Sequence, residues 1–151
     1  MKNFKKKQNV ICIIPARGGS KGIKLKNLKK ICGKSLIYYP ISAARKSGVC
    51  DKIIVSTDSA KIATKAKKYG AEVPFLRKKI FAGDRVTTED TLKNALKEAE
   101  IFYKKSFDIC VFLTCTNIFR KAKWIKQAVN ILKKNITINY IKERIMMRYY
   151  G

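Results

Sequence analysis

The stretch NVICIIPARGGSKGIKLKN, residues 9 to 27, decides how the rest of the chain is read. It begins as an apolar run, NVICIIP, the pattern of a strand covered on both faces. At Pro15 the run gives way to a small basic loop that carries Gly18, Gly19 and Gly22 and closes on Lys26 and Asn27. A Walker A loop requires G-x-x-x-x-G-K-[ST] and a dinucleotide fingerprint requires G-x-G-x-x-G; these glycines satisfy neither. A glycine-rich turn at the C-terminal end of a strand still lets backbone N–H groups approach an anion, and that end is where open α/β sheets bind ligands. Arg17, Lys21 and Lys26 add cationic groups around the turn. The physical reading is a cradle for a polyphosphate. A turn whose glycines merely serve positive φ explains the glycines almost as well, but it leaves the arginine and lysines unexplained.

Outward from this stretch, short β-branched runs alternate with longer amphipathic ones, as in βα units around a largely parallel sheet. A helix is predicted from Leu36 to Lys46, with Ser35 as N-cap, Gly48 just past its end and Pro40 near its start. KIIVST (52 to 57) reads as a second strand, running through Asp58-Ser59 into a helix over 60 to 68 that ends at Gly70. EVPFL (72 to 76) reads as a short third strand. From Thr88 to Lys104, Leu92, Ala95, Leu96, Ala99 and Phe102 fall at helical spacing, with Glu89 and Asp90 in the first turn where the macrodipole favours them. FDICVFL (107 to 113) is a fourth strand, followed by a helix over 121 to 134 with Trp124, Ile125, Ala128, Val129 and Leu132 on one face. The tail NITINYIKERIMMRYYG breaks this order.

At 151 residues the chain suits one domain with a real core. Its 35 Lys+Arg against 10 Asp+Glu, a formal charge of +25, favour anionic partners. Lysine supplies most of that charge and is spread along the whole chain, so a solvated surface competes with a binding face as its explanation. No histidine occurs, which removes Ser-His and Cys-His nucleophilic pairs and histidine metal sites. The five cysteines form no C-x-x-C pair and read as buried thiols of a reducing cytoplasm. The basic N-terminus precedes an apolar run too short for a signal h-region, and nothing approaches a membrane span.

The segments PARGGSKGIKLKN, GKSLIYYPISAA, DKIIVSTDSAKIATKAKKYGAEVPFLR and AGDRVTTEDTL, in this order, resemble the cytidylyltransferases that activate nine-carbon sugar acids. These are the acylneuraminate (CMP-sialic acid) synthetases with their pseudaminate and legionaminate relatives. The resemblance runs from about Val10 to about Val129 and implies a Rossmann-like nucleotidyltransferase α/β fold, a mainly parallel sheet flanked by helices. Its first loop implies catalytic roles for Arg17 and Lys26 on the phosphates of CTP, with Ala16, Gly18, Gly19, Ser20 and Asn27 binding the nucleotide. Arg77 is implied as a further nucleotide contact, and Asp84, Thr87 and Thr88 as neighbours of base and ribose. Thr88 as a plain N-cap is the competing reading. Asp58 is read as the cap of the helix after it, with Ser56 lining the pocket, and Lys21 and Lys24 as solvated lysines.

The fourth strand of the family ends in a Q-P-T-S-P-L-R-like turn, where this chain has TCTNIFR; Thr116 and Arg120 match, the glutamine and both prolines do not. The resemblance also implies Mg2+, acidic metal ligands and a homodimer element further along a longer chain, and no metal ligand is assigned here. Residues 1 to 134 therefore read as the N-terminal portion of a cytidylyltransferase domain whose C-terminal part is missing. Residues 135 to 151 read as an atypical tail, frame-shifted or disordered. The expected activity is transfer of CMP from CTP to a sialic-acid-like sugar in the cytoplasm, with Kdo as a nearby alternative substrate. The rival expectations are an inactive fragment that at most binds nucleotide and, last, a basic nucleic-acid-binding protein.

Overall fold

The computed structural model describes residues 7 to 19, 22 to 135 and 146 to 147. Ser20 and most of the tail lie outside the described residues. The strands are β1 (Val10–Pro15), β2 (Lys30–Ile31), β3 (Lys34–Ser35), β4 (Lys52–Ser56), β5 (Ile109–Phe112) and β6 (Met146–Met147). The α-helices are α1 (Tyr38–Ser47), α2 (Ala60–Lys68), α3 (Thr88–Tyr103) and α4 (Ala122–Asn135).

The main sheet has the order β4-β1-β5-β6 and its pairings are all parallel. Every residue from Val10 to Ile14 is buried, and the alternation shows why the run is apolar throughout. Val10, Cys12 and Ile14 pack with Ile37 and Ile41 around α1, Ile62 and Ala66 of α2, and Ile125 and Val129 of α4. Ile11 and Ile13 pack on the opposite face against Leu92, Ala95 and Ala99 of α3. A strand between two helical layers has no polar face to show. Trp124 and Phe102, expected on the buried faces of their helices, are instead exposed.

Several boundaries differ from the sequence reading for identifiable reasons. Ser35 does not cap α1: it is buried in β3, and α1 starts after Ile37 without a side-chain cap. Pro40 falls in the first turn of α1, where its missing N–H would have no helical partner anyway. β2 and β3 form a small hairpin that the sequence did not announce, turning through Cys32 (φ 48°) and Gly33 (φ 75°). Two successive positive φ values are the mark of a type I′ turn. That turn also exposes Cys32, and Cys50 is only half-buried, so the cysteines are not uniformly interior.

EVPFL does not form a strand. Glu72 pairs with β4 through Glu72 N–H to Ile53 O (2.8 Å) and Val55 N–H to Glu72 O (2.9 Å). Pro74 has no N–H to continue that ladder. Pairing resumes only at Arg77, whose N–H reaches Thr57 O at 2.7 Å, with the offset between partners one residue larger than at Glu72. Asp58 is not the cap of α2 either. Ser59 is, accepting from Ile62 N–H at 3.4 Å, which leaves the Asp58 carboxylate for other use.

Candidate active site

The chain crosses from β1 through α1 to β4 on one side, and later through α3 to β5 on the other. The strand order therefore reverses beside β1, and a crevice opens beyond the C-terminal ends of β1 and β5, where ligands bind in open α/β sheets. A cleft of about 400 Å³ lies there, with Pro15 at the end of β1 and Phe112 at the end of β5 in its lining. That volume is within the roughly 300–1,000 Å³ usual for small-molecule sites.

Seven of the residues expected at the site line this one cleft: Arg17, Lys26, Asn27, Arg77, Asp84, Thr88 and Thr116. They come from four separate segments. Arg17 follows β1, and its guanidinium Nη1 donates to Asp84 Oδ1 at 2.7 Å, so the basic loop and the acidic loop meet at the cleft mouth. Asn27 is buried; its Nδ2 donates to Arg17 O at 3.2 Å, folding the far end of the loop back onto its start. Lys26 begins the single turn of 3₁₀ helix that carries Asn27.

Arg77 is an unusual occupant, with only 7 % of its surface exposed. Its Nε donates to Ser56 Oγ at 3.0 Å and its Nη2 donates to Ser56 O. Burial pulls its guanidinium below the ordinary value; Asp58 works against that shift and Arg17 adds to it. A desolvated arginine fixed from behind by a serine is pre-oriented for an anion.

Of the other expected residues that are described, Ala16, Gly18, Gly19, Ser56 and Thr87 do not line the cleft. Ala16 N–H extends the β1–β4 pairing by donating to Ser56 O at 2.9 Å. Gly18 N–H is already engaged, donating to Asp58 Oδ1 at 2.7 Å, so this amide does not point at a ligand as the anion-cradle reading had it. A Cβ on Gly18 would sit 3.0 Å from Ser59 Cβ, so the glycine serves close approach of two backbones. Nothing lies within 4 Å of where a Cβ on Gly19 would stand. Thr87, not Thr88, caps α3: its Oγ1 accepts from Asp90 N–H at 3.0 Å and donates to Asp90 Oδ2 at 2.6 Å. The two threonines divide the roles, leaving Thr88 to face the cleft.

Phe81, Val86, Thr91 and Phe112 also line the cleft and were not anticipated. Thr91 had a readable signal, a threonine one helical turn after Thr87 and Thr88; it is buried. Cys115, inside TCTNIFR, is buried at the cleft wall, where burial pushes its thiol up to about 12 and Lys26 opposes the shift. A thiol held protonated in this way is no nucleophile. The arrangement offers three cations, one carboxylate, an amide and hydroxyl groups around a partly apolar slot, which suits a nucleoside polyphosphate.

The sequence matches the family model described as Cytidylyltransferase over residues 11–147. This chain belongs to the cytidylyltransferase family. The match reaches into the stretch read from sequence as an atypical tail. The chain is 40% identical over 127 residues to the CMP-N,N'-diacetyllegionaminic acid synthase of Legionella pneumophila, covering 82% of this chain and 53% of that protein. It is 45% identical over 87 residues to the pseudaminic acid cytidylyltransferase of Campylobacter jejuni, covering 58% of this chain and 38% of that one. Among solved structures, CMP:2-keto-3-deoxy-manno-octonic acid synthetase complexed with CTP superposes with a TM-score of 0.69 at 20% identity, over 85% of this chain and 48% of that one. That likeness shows the shared Rossmann-like nucleotidyltransferase fold. The chain spans about half the length of the curated relatives it matches. Among its described residues no helix is long and apolar enough to cross a membrane.

Proposed function

We propose that the cleft binds CTP and serves transfer of CMP to a sialic-acid-like nine-carbon sugar acid. The anomeric hydroxyl of the sugar attacks the α-phosphorus and gives its proton to water; a new P–O bond forms to the sugar oxygen, and the bond to pyrophosphate breaks with its electron pair leaving on pyrophosphate. The observation that carries this reading is the convergence of Arg17, Lys26 and Arg77 on one cleft at the C-terminal ends of β1 and β5 in a member of this family. The curated relatives are named for legionaminic, pseudaminic and N-acylneuraminic acids, which supports that sugar class.

Arg17 and Lys26 balance charge on the phosphates and on the departing pyrophosphate, and Arg77 fixes the nucleotide from the buried side. Thr88 and Thr116 offer hydroxyls to base, ribose or sugar. Asp84 holds Arg17 until a phosphate competes for it. In-line attack depends on positioning and charge stabilisation more than on a histidine base, so a chain without histidine is chemically sufficient. Mg2+ is expected from the resemblance, and when bound it would supply charge stabilisation for the phosphates. The described residues do not by themselves assemble such a site: Asp84, its Oδ1 held by Arg17, is the one acidic residue among the described residues that line the cleft, and Asp58 is not in the lining. No three acidic, cysteine or histidine side chains converge among the described residues. No step is assigned to the metal. Dependence on CTP fits a cytoplasmic location.

Pyrophosphate release from CTP with N-acetylneuraminic, legionaminic or pseudaminic acid, measured beside calorimetry with CTP alone, tests the proposal. Release that requires both substrates is the expected result. CTP binding without release points to a nucleotide-binding fragment, and no CTP binding at all overturns the reading.

A further inference from the structure

We propose that Asp58 is a positioning residue: from the turn between β4 and α2 its carboxylate pins the basic loop at Gly18, and with it the wall of the cleft that carries Arg17. As far as it concerns the nucleotide, this rests on the CTP reading above.

The local sequence offers two candidates, Asp58 and Ser59, for the one cap that α2 needs. Ser59 takes the cap, and its own N–H donates to Thr57 Oγ1 at 3.1 Å, which stiffens the turn. The Asp58 carboxylate is thereby released for a partner 40 residues away in the chain, Gly18 N–H at 2.7 Å. Gly18 is where that contact needs a glycine, because a Cβ there would stand 3.0 Å from Ser59 Cβ and 3.7 Å from Asp58 Oδ1. The Asp58 charge also works against the effect of burial on Arg77, whose own anchor is Ser56. Asp58 does not line the cleft, so it acts through the loop that it pins. A charge-assisted bond from a backbone amide to a carboxylate is among the stronger contacts available for fixing a loop.

The test compares Asp58→Ala, Asp58→Asn and Ser59→Ala in the full chain, first without nucleotide. The readout is tryptic cleavage after Lys24 and Lys26 in the loop, with melting temperature as a fold control. Asp58→Ala is expected to speed loop cleavage about tenfold, the worth of one hydrogen bond to a charged group. Asp58→Asn keeps an oxygen that accepts from Gly18 and is expected within about twofold of wild type. Ser59→Ala removes the cap of α2 and is expected to lower the melting temperature without speeding loop cleavage. Calorimetry then follows the nucleotide: the Kd for CTP rises about tenfold in Asp58→Ala and stays close to wild type in Asp58→Asn. The proposal is overturned if Asp58→Ala leaves the loop protected, if Asp58→Asn opens it as much as Asp58→Ala, or if Ser59→Ala does the same. It is also overturned if the loop opens in Asp58→Ala while CTP affinity is unchanged. Should wild type bind no CTP, the functional reading falls, and the cleavage arm still decides whether Asp58 pins the loop.

Discussion

Replacing Arg77 by alanine should weaken both the fold and nucleotide binding, and the structure gives the size of each effect. The guanidinium donates to Ser56 Oγ and to Ser56 O, and both residues are buried. In Arg77→Ala the Ser56 carbonyl keeps Ala16 N–H as a donor, but Ser56 Oγ loses its arginine partner in a buried position. Hydrogen bonds to charged groups contribute about 1.5–3 kcal/mol each, and an orphaned buried polar atom costs about 1–3 kcal/mol. Against this stands relief of burying a cation, a real cost here because burial holds the guanidinium below its ordinary value. A net loss of about 2–3 kcal/mol follows, or roughly 4–12 °C in Tm for a chain of this size. Calorimetry with CTP should show affinity reduced by roughly 10–100-fold, the worth of one charge-assisted contact. Arg77→Lys keeps the charge without the fork and should fall between wild type and alanine. The reasoning fails if Arg77→Ala melts with the wild type, or if it binds CTP unchanged once its fold is shown intact by circular dichroism.

Three further outcomes follow from other contacts. Burial raises the Glu72 carboxyl, but bonds from Tyr103 (2.6 Å) and Lys52 (2.9 Å) outweigh it and hold the net value below the ordinary 4.5. Its folded-state value is depressed, so its contribution is present above about pH 4.5 and lost as pH falls through the folded value; Glu72→Gln should flatten urea-measured stability in that acid range, by under about 1 kcal/mol because the pair is partly exposed. Gly70 has φ 89°, and a Cβ there would stand 2.6 Å from Arg45 Nη1; Gly70→Ala should cost about 1–2 kcal/mol in denaturant melts, with most of the loss persisting in an Arg45→Ala background because the backbone term remains. Among the thiols, Cys32 is exposed while Cys12, Cys110 and Cys115 are buried, with the latter two pushed up to about 12. Alkylation of the native protein at pH 8, mapped by mass spectrometry, should modify Cys32 first and leave those three for denaturant, and early labelling at Cys115 would contradict the closed cleft wall.

The sequence was most legible where one physical demand dominated. β1 sits between two helical layers, so all its positions had to be apolar, and the glycine-bearing basic loop after it marked the functional end of the sheet. The helix ends at Gly48 and Gly70 were equally readable, since both glycines take positive φ. Legibility failed where two residues could meet the same need. Asp58 and Ser59 are both competent caps, as are Thr87 and Thr88, and only tertiary contacts choose between them. The hairpin of β2 and β3 has two residues per strand, too few to show a period. The pairing of Arg17 with Asp84, 67 residues apart, leaves no local trace at all. The site was therefore visible as a set of residue types on one rim, while the network that aims them was not.

The break at Pro74 has a consequence for how this protein can vary. Between Glu72 and Arg77 the pairing with β4 gains one residue of offset, so the chain carries one residue more than the strand beside it and bends at Phe75. Arg77 therefore reaches Thr57 through a segment one residue longer than a continuous ladder needs. Deleting any single residue from 73 to 76 would restore the offset seen at Glu72 and leave the arginine on the same Thr57 carbonyl, with the bend removed. The segment between these two pairings can thus lose one residue without moving the arginine along β4, which the paired positions on either side of it cannot.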